Sequence, residues 1–281
     1  MIPDLPLDHL YRGSVAGAEI RYLRVGHGTP IVLLHTLRTQ LDYFGRLLQH
    51  LDPGRFELIA IDLPGHGESS APPVDYTADY FTDTVGAFLN LCNVQDAVLV
   101  GESIGASIAL ALAAHHNPRV ARVVAINPYD YGRWGGIRRS SSLAKVLFTA
   151  MLWPGIGPIV ARTETQAILR RVLEGGLHDP AALPAELVEK LSRCGALPGH
   201  ARAFRSLCLH WQSWIDGRAR YGAIGLPVML VYGDDDWSRR AEREANTHAI
   251  RSVKTAQLRN SGHFSSLEKP QEIAQLINEL V

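Results

Sequence analysis

The sequence predicts a wound α/β domain: a mostly parallel central sheet with helices on both faces, interrupted by an inserted helical segment. Short runs rich in Val, Ile and Leu alternate with segments of helical length through residue 127 and again from about residue 225. Between Pro128 and Ile224 that rhythm stops and helical patterns dominate. The composition agrees, since 281 residues with 46% hydrophobic and 20% charged side chains suit one large soluble domain with a sizeable core. Disordered, collagen-like and coiled-coil chains are excluded by the same numbers.

Taken in order, Glu19 to Val25 has period-two character and reads as an antiparallel edge strand. Ile31 to His35, Leu58 to Asp62, Ala97 to Gly101 and Val120 to Asn127 read as strands buried on both faces. Tyr43 to Leu51, Thr77 to Cys92 and Ser103 to Asn117 have helical length and pattern. After the insertion come strands at Pro227 to Tyr232 and Val253 to Leu258, and a final helix from Pro270 to Val281. The domain boundaries are therefore 1–127 with 225–281 for the core, and 128–224 for the insertion.

The 28 basic side chains balance the 28 acidic ones, so no general attraction for nucleic acid or an anionic membrane is expected. Cys92, Cys194 and Cys208 are too few and too scattered for a disulfide framework or a cysteine metal site. The N-terminus has neither a basic start nor an apolar run of signal-peptide length. The most apolar stretch, Val146 to Ala161, contains Pro154, Gly155, Gly157 and Pro158, whereas a spanning helix needs about 20 unbroken apolar residues. The expectation is a cytoplasmic protein without an integral membrane segment, with a homodimer left open.

The insertion carries 13 Lys/Arg against 7 Asp/Glu, while the remainder has an equal excess of acid. It also holds Trp134, Trp153, Trp211 and Trp214, four of the five tryptophans. Aromatic walls suit a small-molecule pocket, so the insertion reads either as a lid over a site or as a helical piece whose aromatics fill its own core. In the lid reading, Val146 to Ile159 lines the pocket and Met151 and Trp153 touch substrate.

Leu99-Val100-Gly101-Glu102-Ser103-Ile104-Gly105-Ala106 matches Gly-x-Ser-x-Gly, with an apolar strand before it and an Ala-rich helical run after it. The two glycines admit a turn too tight for side chains, and the serine projects from it. The helix then starts at the nucleophile, so its N–H groups and positive end face any oxyanion. A serine needs a base, and the base needs an acid to orient it. Tyr232-Gly233-Asp234-Asp235-Asp236-Trp237 is an acidic loop after a strand, and Asn260-Ser261-Gly262-His263-Phe264 is a loop before the last helix. His263 is the best base candidate, because no other histidine lies both beyond the acidic loop and just after a strand.

These segments, with Leu33-Leu34-His35 and Asp62-Leu63-Pro64-Gly65-His66-Gly67-Glu68-Ser69, resemble the α/β-hydrolase superfamily over nearly the whole chain. The resemblance implies the α/β-hydrolase fold with a helical lid. It selects Asp236, three residues after the loop glycine, as the acid, with Asp235 as the alternate. It implies an oxyanion hole from the N–H groups of Ile104 and Leu37. Thr36 departs from the glycine usual after His35, and Thr36 or Thr39 offers a hydroxyl as a further donor. Thr36, Arg38, Glu102 and Trp237 are candidate substrate contacts. Arg38 suits a substrate's negative charge or simply faces water. Glu102 suits a lid arginine, a local negative potential or a structural hydrogen bond. His66 reads as structural.

A serine nucleophile suits acyl transfer, whereas the epoxide hydrolases and haloalkane dehalogenases of this superfamily use an aspartate. The expected activity is a carboxylesterase-like serine hydrolase on a small, largely apolar ester, thioester, lactone or β-ketone-type substrate. A cofactor-free lyase or oxygenase, and a ligand-binding receptor, are the alternatives on the same fold. No cofactor and no metal are implied.

Overall fold

The computed structural model describes residues 7–132 and 135–281; Trp134, one of the four insertion tryptophans, lies outside them. Among the described residues eight strands form one sheet: β1 (Leu10–Val15), β2 (Ala18–Gly26), β3 (Thr29–Leu34), β4 (Phe56–Ile61), β5 (Ala97–Glu102), β6 (Val120–Ile126), β7 (Val228–Gly233) and β8 (Val253–Leu258). The spatial order is β1-β2-β4-β3-β5-β6-β7-β8. Strands β3 to β8 pair in parallel, and β2 pairs antiparallel with both β1 and β4.

The central strands are buried along their whole length, which is why they read as continuous apolar runs. Helices α1 (Gly45–Leu48), α2 (Ala78–Leu91), α3 (Ile104–Ala114), α10 (Arg240–Ala249), α11 (Ser265–Glu268) and α12 (Pro270–Leu280) belong to this core. The Thr77 hydroxyl fixes the start of α2 by accepting the Tyr80 N–H at 3.1 Å.

Two expectations are corrected here. The strand near Glu19 to Val25 is antiparallel as expected, but it is not the edge. That place belongs to β1, joined to β2 through the positive-φ pair Ala16 and Gly17. Strand β1 is mostly exposed, so Leu10–Val15 lacks an apolar signature. The helix expected over Tyr43 to Leu51 is shorter: a 3-10 turn at Leu41–Phe44 runs into the four residues of α1.

The Asp62 to Ser69 segment owes its shape to a buried cation. Arg21 donates to Asp62 at 2.7 Å and to Asp42 at 3.0 Å, and pairs with Glu68 at 2.9 Å. The Asp62 carboxylate also accepts the N–H groups of Leu41 and Glu68, both at 2.8 Å. A single buried charge cluster thereby holds the loops after β3 and β4 against each other.

Between β6 and β7 lies the helical insertion, Gly136 to Ala223, with α4 (Ser142–Met151), α5 (Gly157–Val160), α6 (Gln166–Glu174), α7 (Ala185–Gly195), α8 (His200–Leu209) and α9 (Trp211–Arg218). Its positive excess meets core acids through Lys190–Asp42 at 2.9 Å, Arg139–Glu242 at 2.7 Å and Arg220–Asp79 at 3.2 Å. Partly exposed pairs contribute about 0–1 kcal/mol each, so they orient the insertion more than they hold it. Apolar contact does more: Trp214 is 2% exposed and packs on Phe81, 5.7 Å between ring centres. Among the described residues, no helix is long and apolar enough to cross a membrane.

The strand register places the C-terminal ends in line, with Leu34 beside Gly101, Glu102 beside Ile126, Ile126 beside Val231 and Gly233 beside Leu258. Everything chemically distinctive sits just past that line, where open α/β sheets carry their sites.

Candidate active site

Ser103 sits between the end of β5 and the first residue of α3, at φ 58° and ψ −117°. That conformation is strained for a residue with a side chain. The glycines on either side make it attainable. A Cβ at Gly101 would lie 2.2 Å from the Gly105 carbonyl oxygen, and one at Gly105 would lie 2.0 Å from the Leu34 carbonyl oxygen. The same close approach brings the loop after β3, which holds Thr36 and Leu37, against the start of α3.

His263 Nε2 is 2.9 Å from Ser103 Oγ, and His263 Nδ1 is 2.6 Å from Asp236 Oδ1. All three side chains are buried. This is a triad-like arrangement assembled from the ends of three strands 27 to 160 residues apart. The second Asp236 oxygen accepts from the Ser238 N–H at 2.9 Å, the Ser238 hydroxyl, and the Tyr131 hydroxyl at 3.3 Å. Burial alone pushes the Asp236 carboxyl up, but the His263 and Ser238 hydrogen bonds bring it below the ordinary value of 3.8. Asp235, by contrast, points outward and meets His178 of the insertion at 2.6 Å.

Two residues that the sequence did not single out fix this geometry. Asn127, immediately after β6, accepts the Gly233 N–H at 3.0 Å and donates to the His263 carbonyl at 3.1 Å and to Ser265 Oγ at 2.9 Å. One amide thus spans the acid loop and the base loop. Ser238 is the other, through its donors to Asp236. The ring of Trp237, a candidate substrate contact, lies parallel to the His263 imidazole, 3.9 Å between centres and 14° between planes. Its Nε1–H donates to the Gly175 carbonyl at 3.3 Å. The His263 N–H donates to Gly176 at 2.6 Å, so the turn after α6 covers the base from the insertion side.

The loop after β3 is internally braced. The Leu63 N–H donates to His35 Nε2 at 3.0 Å, which leaves Nδ1–H to donate to the Thr36 carbonyl at 2.8 Å. Burial lowers the His35 pKa to about 4, so the ring is neutral and structural. The Thr39 hydroxyl donates to the Thr36 carbonyl at 2.9 Å, which spends the proton it was expected to offer an oxyanion. Leu37 is buried in this loop, and Arg38 follows it at φ 65° with its guanidinium on Glu164 of the insertion. His66 is buried beside His35, 5.2 Å between ring centres.

Glu102 turns away from the insertion's arginines. Its carboxyl accepts the Ser266 hydroxyl at 2.5 Å and the Ser266 N–H at 3.3 Å, which is the structural hydrogen bond among the three roles considered. Complete burial raises its pKa from 4.5 to about 8. An acid with a raised folded pKa keeps its proton in the native state while the unfolded chain loses it. Stability is therefore full below the unfolded value and falls as pH rises through the interval up to the folded one. Glu102→Gln is expected to raise Tm relative to the parent by an amount that grows between about pH 5 and pH 9. A Tm difference independent of pH, read by calorimetry across that range, would contradict this.

Helix α4 ends at Met151, so Val146 to Ile159 is not one helix, and its residues divide between a cavity and the surface. Leu147, Phe148 and Met151 line an apolar cavity with Ile168, Val172 and Phe204. Trp153 is 59% exposed, and Val146, Ile156 and Ile159 also face outward.

Comparison with known proteins gives the family. The model of the Alpha/beta hydrolase family matches residues 31–276. The chain belongs to that family. It is 26% identical over 95% of its length to a dihydrolipoyllysine-residue acetyltransferase component of an acetoin cleaving system from Cupriavidus necator, of which the match covers 67%. It is 23% identical over 97% of its length to bifunctional epoxide hydrolase 2 of Sus scrofa, spanning only 55% of that protein. Among solved structures, the enol-lactonase of Burkholderia xenovorans LB400 superposes with a TM-score of 0.75 at 21% identity, covering 96% of this chain and 99% of that one.

Proposed function

We propose that the protein is a serine hydrolase that works by acyl transfer on a small, largely apolar ester, thioester, lactone or β-ketone-type substrate. The observation that carries this reading is the continuous contact from Ser103 Oγ through His263 to Asp236, at 2.9 and 2.6 Å. Ser103 attacks the carbonyl while His263 Nε2 takes its proton. Asp236 stabilises the imidazolium, and His263 returns the proton to the leaving group. Water then cleaves the acyl-enzyme by the same route in reverse. The Ile104 N–H, in the first turn of α3 where helix donors lack intrahelical acceptors, and the Leu37 N–H are the proposed oxyanion donors. An enol-lactonase among the structural neighbours fits the lactone branch of this reading.

The insertion, residues 128–224 by the sequence boundaries, acts as the lid. Ser103 is 1% exposed beneath it, so substrate enters only after it shifts. The apolar cavity beside Met151 suits a hydrocarbon tail.

A fluorophosphonate probe is the direct test. It is expected to label one site, mapped by mass spectrometry to Ser103, and to block turnover of p-nitrophenyl esters in step with labelling. Turnover of a substrate with no label at Ser103 and no acyl intermediate would overturn the reading and favour the lyase.

A further inference from the structure

We propose that the groove around Arg38 is a carboxylate-binding subsite, so that this protein's substrates carry an ionised carboxylate besides the bond that is cleaved. The inference deepens the serine-hydrolase reading and rests on it. The groove, about 450 Å³, lies between the loop after β3, the residues following α5, and the α7–α8 region. It collects three guanidinium groups, Arg38, Arg162 and Arg202, against one carboxylate, Glu164. Arg202 donates to the carbonyl oxygens of Ala71 and Pro72, at 3.1 and 2.6 Å, and these carry no net charge. Among the described residues neither Arg162 nor Arg202 pairs with an acid, so the groove keeps an excess of positive charge.

Arg38 is held for this task. Its side chain is only 15% exposed, its guanidinium lies 5.2 Å over the Phe204 ring, and a Cβ on Gly195 would come within 2.6 Å of both its terminal nitrogens. The glycine on α7 lets the guanidinium lie close against the helix there. Nε and Nη2 both face the Glu164 carboxylate, the two-pronged geometry in which arginine recognises carboxylates. Glu164 occupies the place a substrate carboxylate takes, and a substrate acid displaces it from the guanidinium. In the chain Arg38 directly follows Leu37, the proposed oxyanion donor. Glu164 and Phe204 also line the apolar cavity beside Met151. A substrate can thus lay its chain in the cavity and its acid group on Arg38.

The test uses matched pairs: the monomethyl esters of succinate, glutarate and adipate beside the methyl esters of butyrate, valerate and hexanoate. The readout is the ratio of kcat/KM for the ionised ester to that for the neutral one. At the best chain length the wild-type ratio exceeds one and falls as salt is raised. Arg38→Met is expected to lower the ratio by roughly tenfold or more, the scale of a charge-assisted hydrogen bond, and Glu164→Gln to raise it by freeing the guanidinium. Ratios unchanged by both substitutions, with Ser103 still reacting with the fluorophosphonate, would overturn the subsite and leave the hydrolase standing. Calorimetric binding of the half-esters to Ser103→Ala, with and without Arg38→Met, decides the matter without turnover. Affinity at least tenfold weaker in the double variant supports the subsite, and equal affinity overturns it.

Discussion

Ser103→Ala is expected to fold as the parent does and to lose at least about a thousandfold in kcat on any substrate the wild type hydrolyses. The size follows from what the hydroxyl alone supplies. Without it His263 and Asp236 have only water to activate, and the binding and oxyanion contributions remain. The preserved fold follows from the local structure. Ser103 makes no side-chain cap at the start of α3, and its backbone is held by its own N–H to Ile126 and its carbonyl to Tyr129. Alanine meets the same strain at φ 58° as serine does, so the turn gains no new penalty. The two measurements are kcat on a p-nitrophenyl ester and Tm by calorimetry. Activity within tenfold of wild type at an unchanged Tm would remove Ser103 from the mechanism.

How much of this was legible in the sequence depends on how local each signal is. The elbow is a steric statement about five consecutive residues, and Gly101 and Gly105 declare it without tertiary information. The acid loop was legible because it follows β7, a buried strand that announces itself by composition, whereas the base loop follows the largely unburied β8 and was legible from its place between that strand and the last helix. Strand β1 was not, because an exposed edge strand has no apolar run to read. Asn127 was read only as the last residue of a strand. Its role comes from contacts to Gly233 and His263, more than 100 residues away, and no spacing rule connects those positions. The direction of Trp237 depends on the turn after α6, and its neighbour Asp236 gives no hint of it. The apolar run from Val146 to Ile159 read as pocket lining, but its composition does not say which of its residues meet the cavity, and Trp153 lies past the end of α4 and faces outward.

Asp236→Asn is expected to lower kcat by about ten-thousandfold, and Asp235→Asn by less than tenfold, the first figure being the handicap that the wrong imidazole tautomer imposes on a triad. Asp236 accepts at both oxygens: His263 at 2.6 Å on one, and the Ser238 and Tyr131 donors on the other. An amide at this position must turn an NH2 toward one of those donor sets. If it faces His263, the ring has to carry its proton on Nε2 and can no longer accept the Ser103 proton. If it faces Ser238, two donors collide and the side chain is pushed from its place. Asp235 has no such constraint, since its side chain is 58% exposed and its partner His178 belongs to the insertion. The loss there is one exposed pair, about 0–1 kcal/mol. The folded-state pKa of Asp236 is depressed, so the stability it contributes is present above its unfolded value of about 3.8 and is lost only as pH falls through the lower folded value. Near neutral pH the carboxylate is fully ionised, and the contrast between the two variants there reports orientation of His263 and not titration. Rates measured for both variants with Tm controls decide the assignment, and the reverse order would move the acid one residue back, to Asp235.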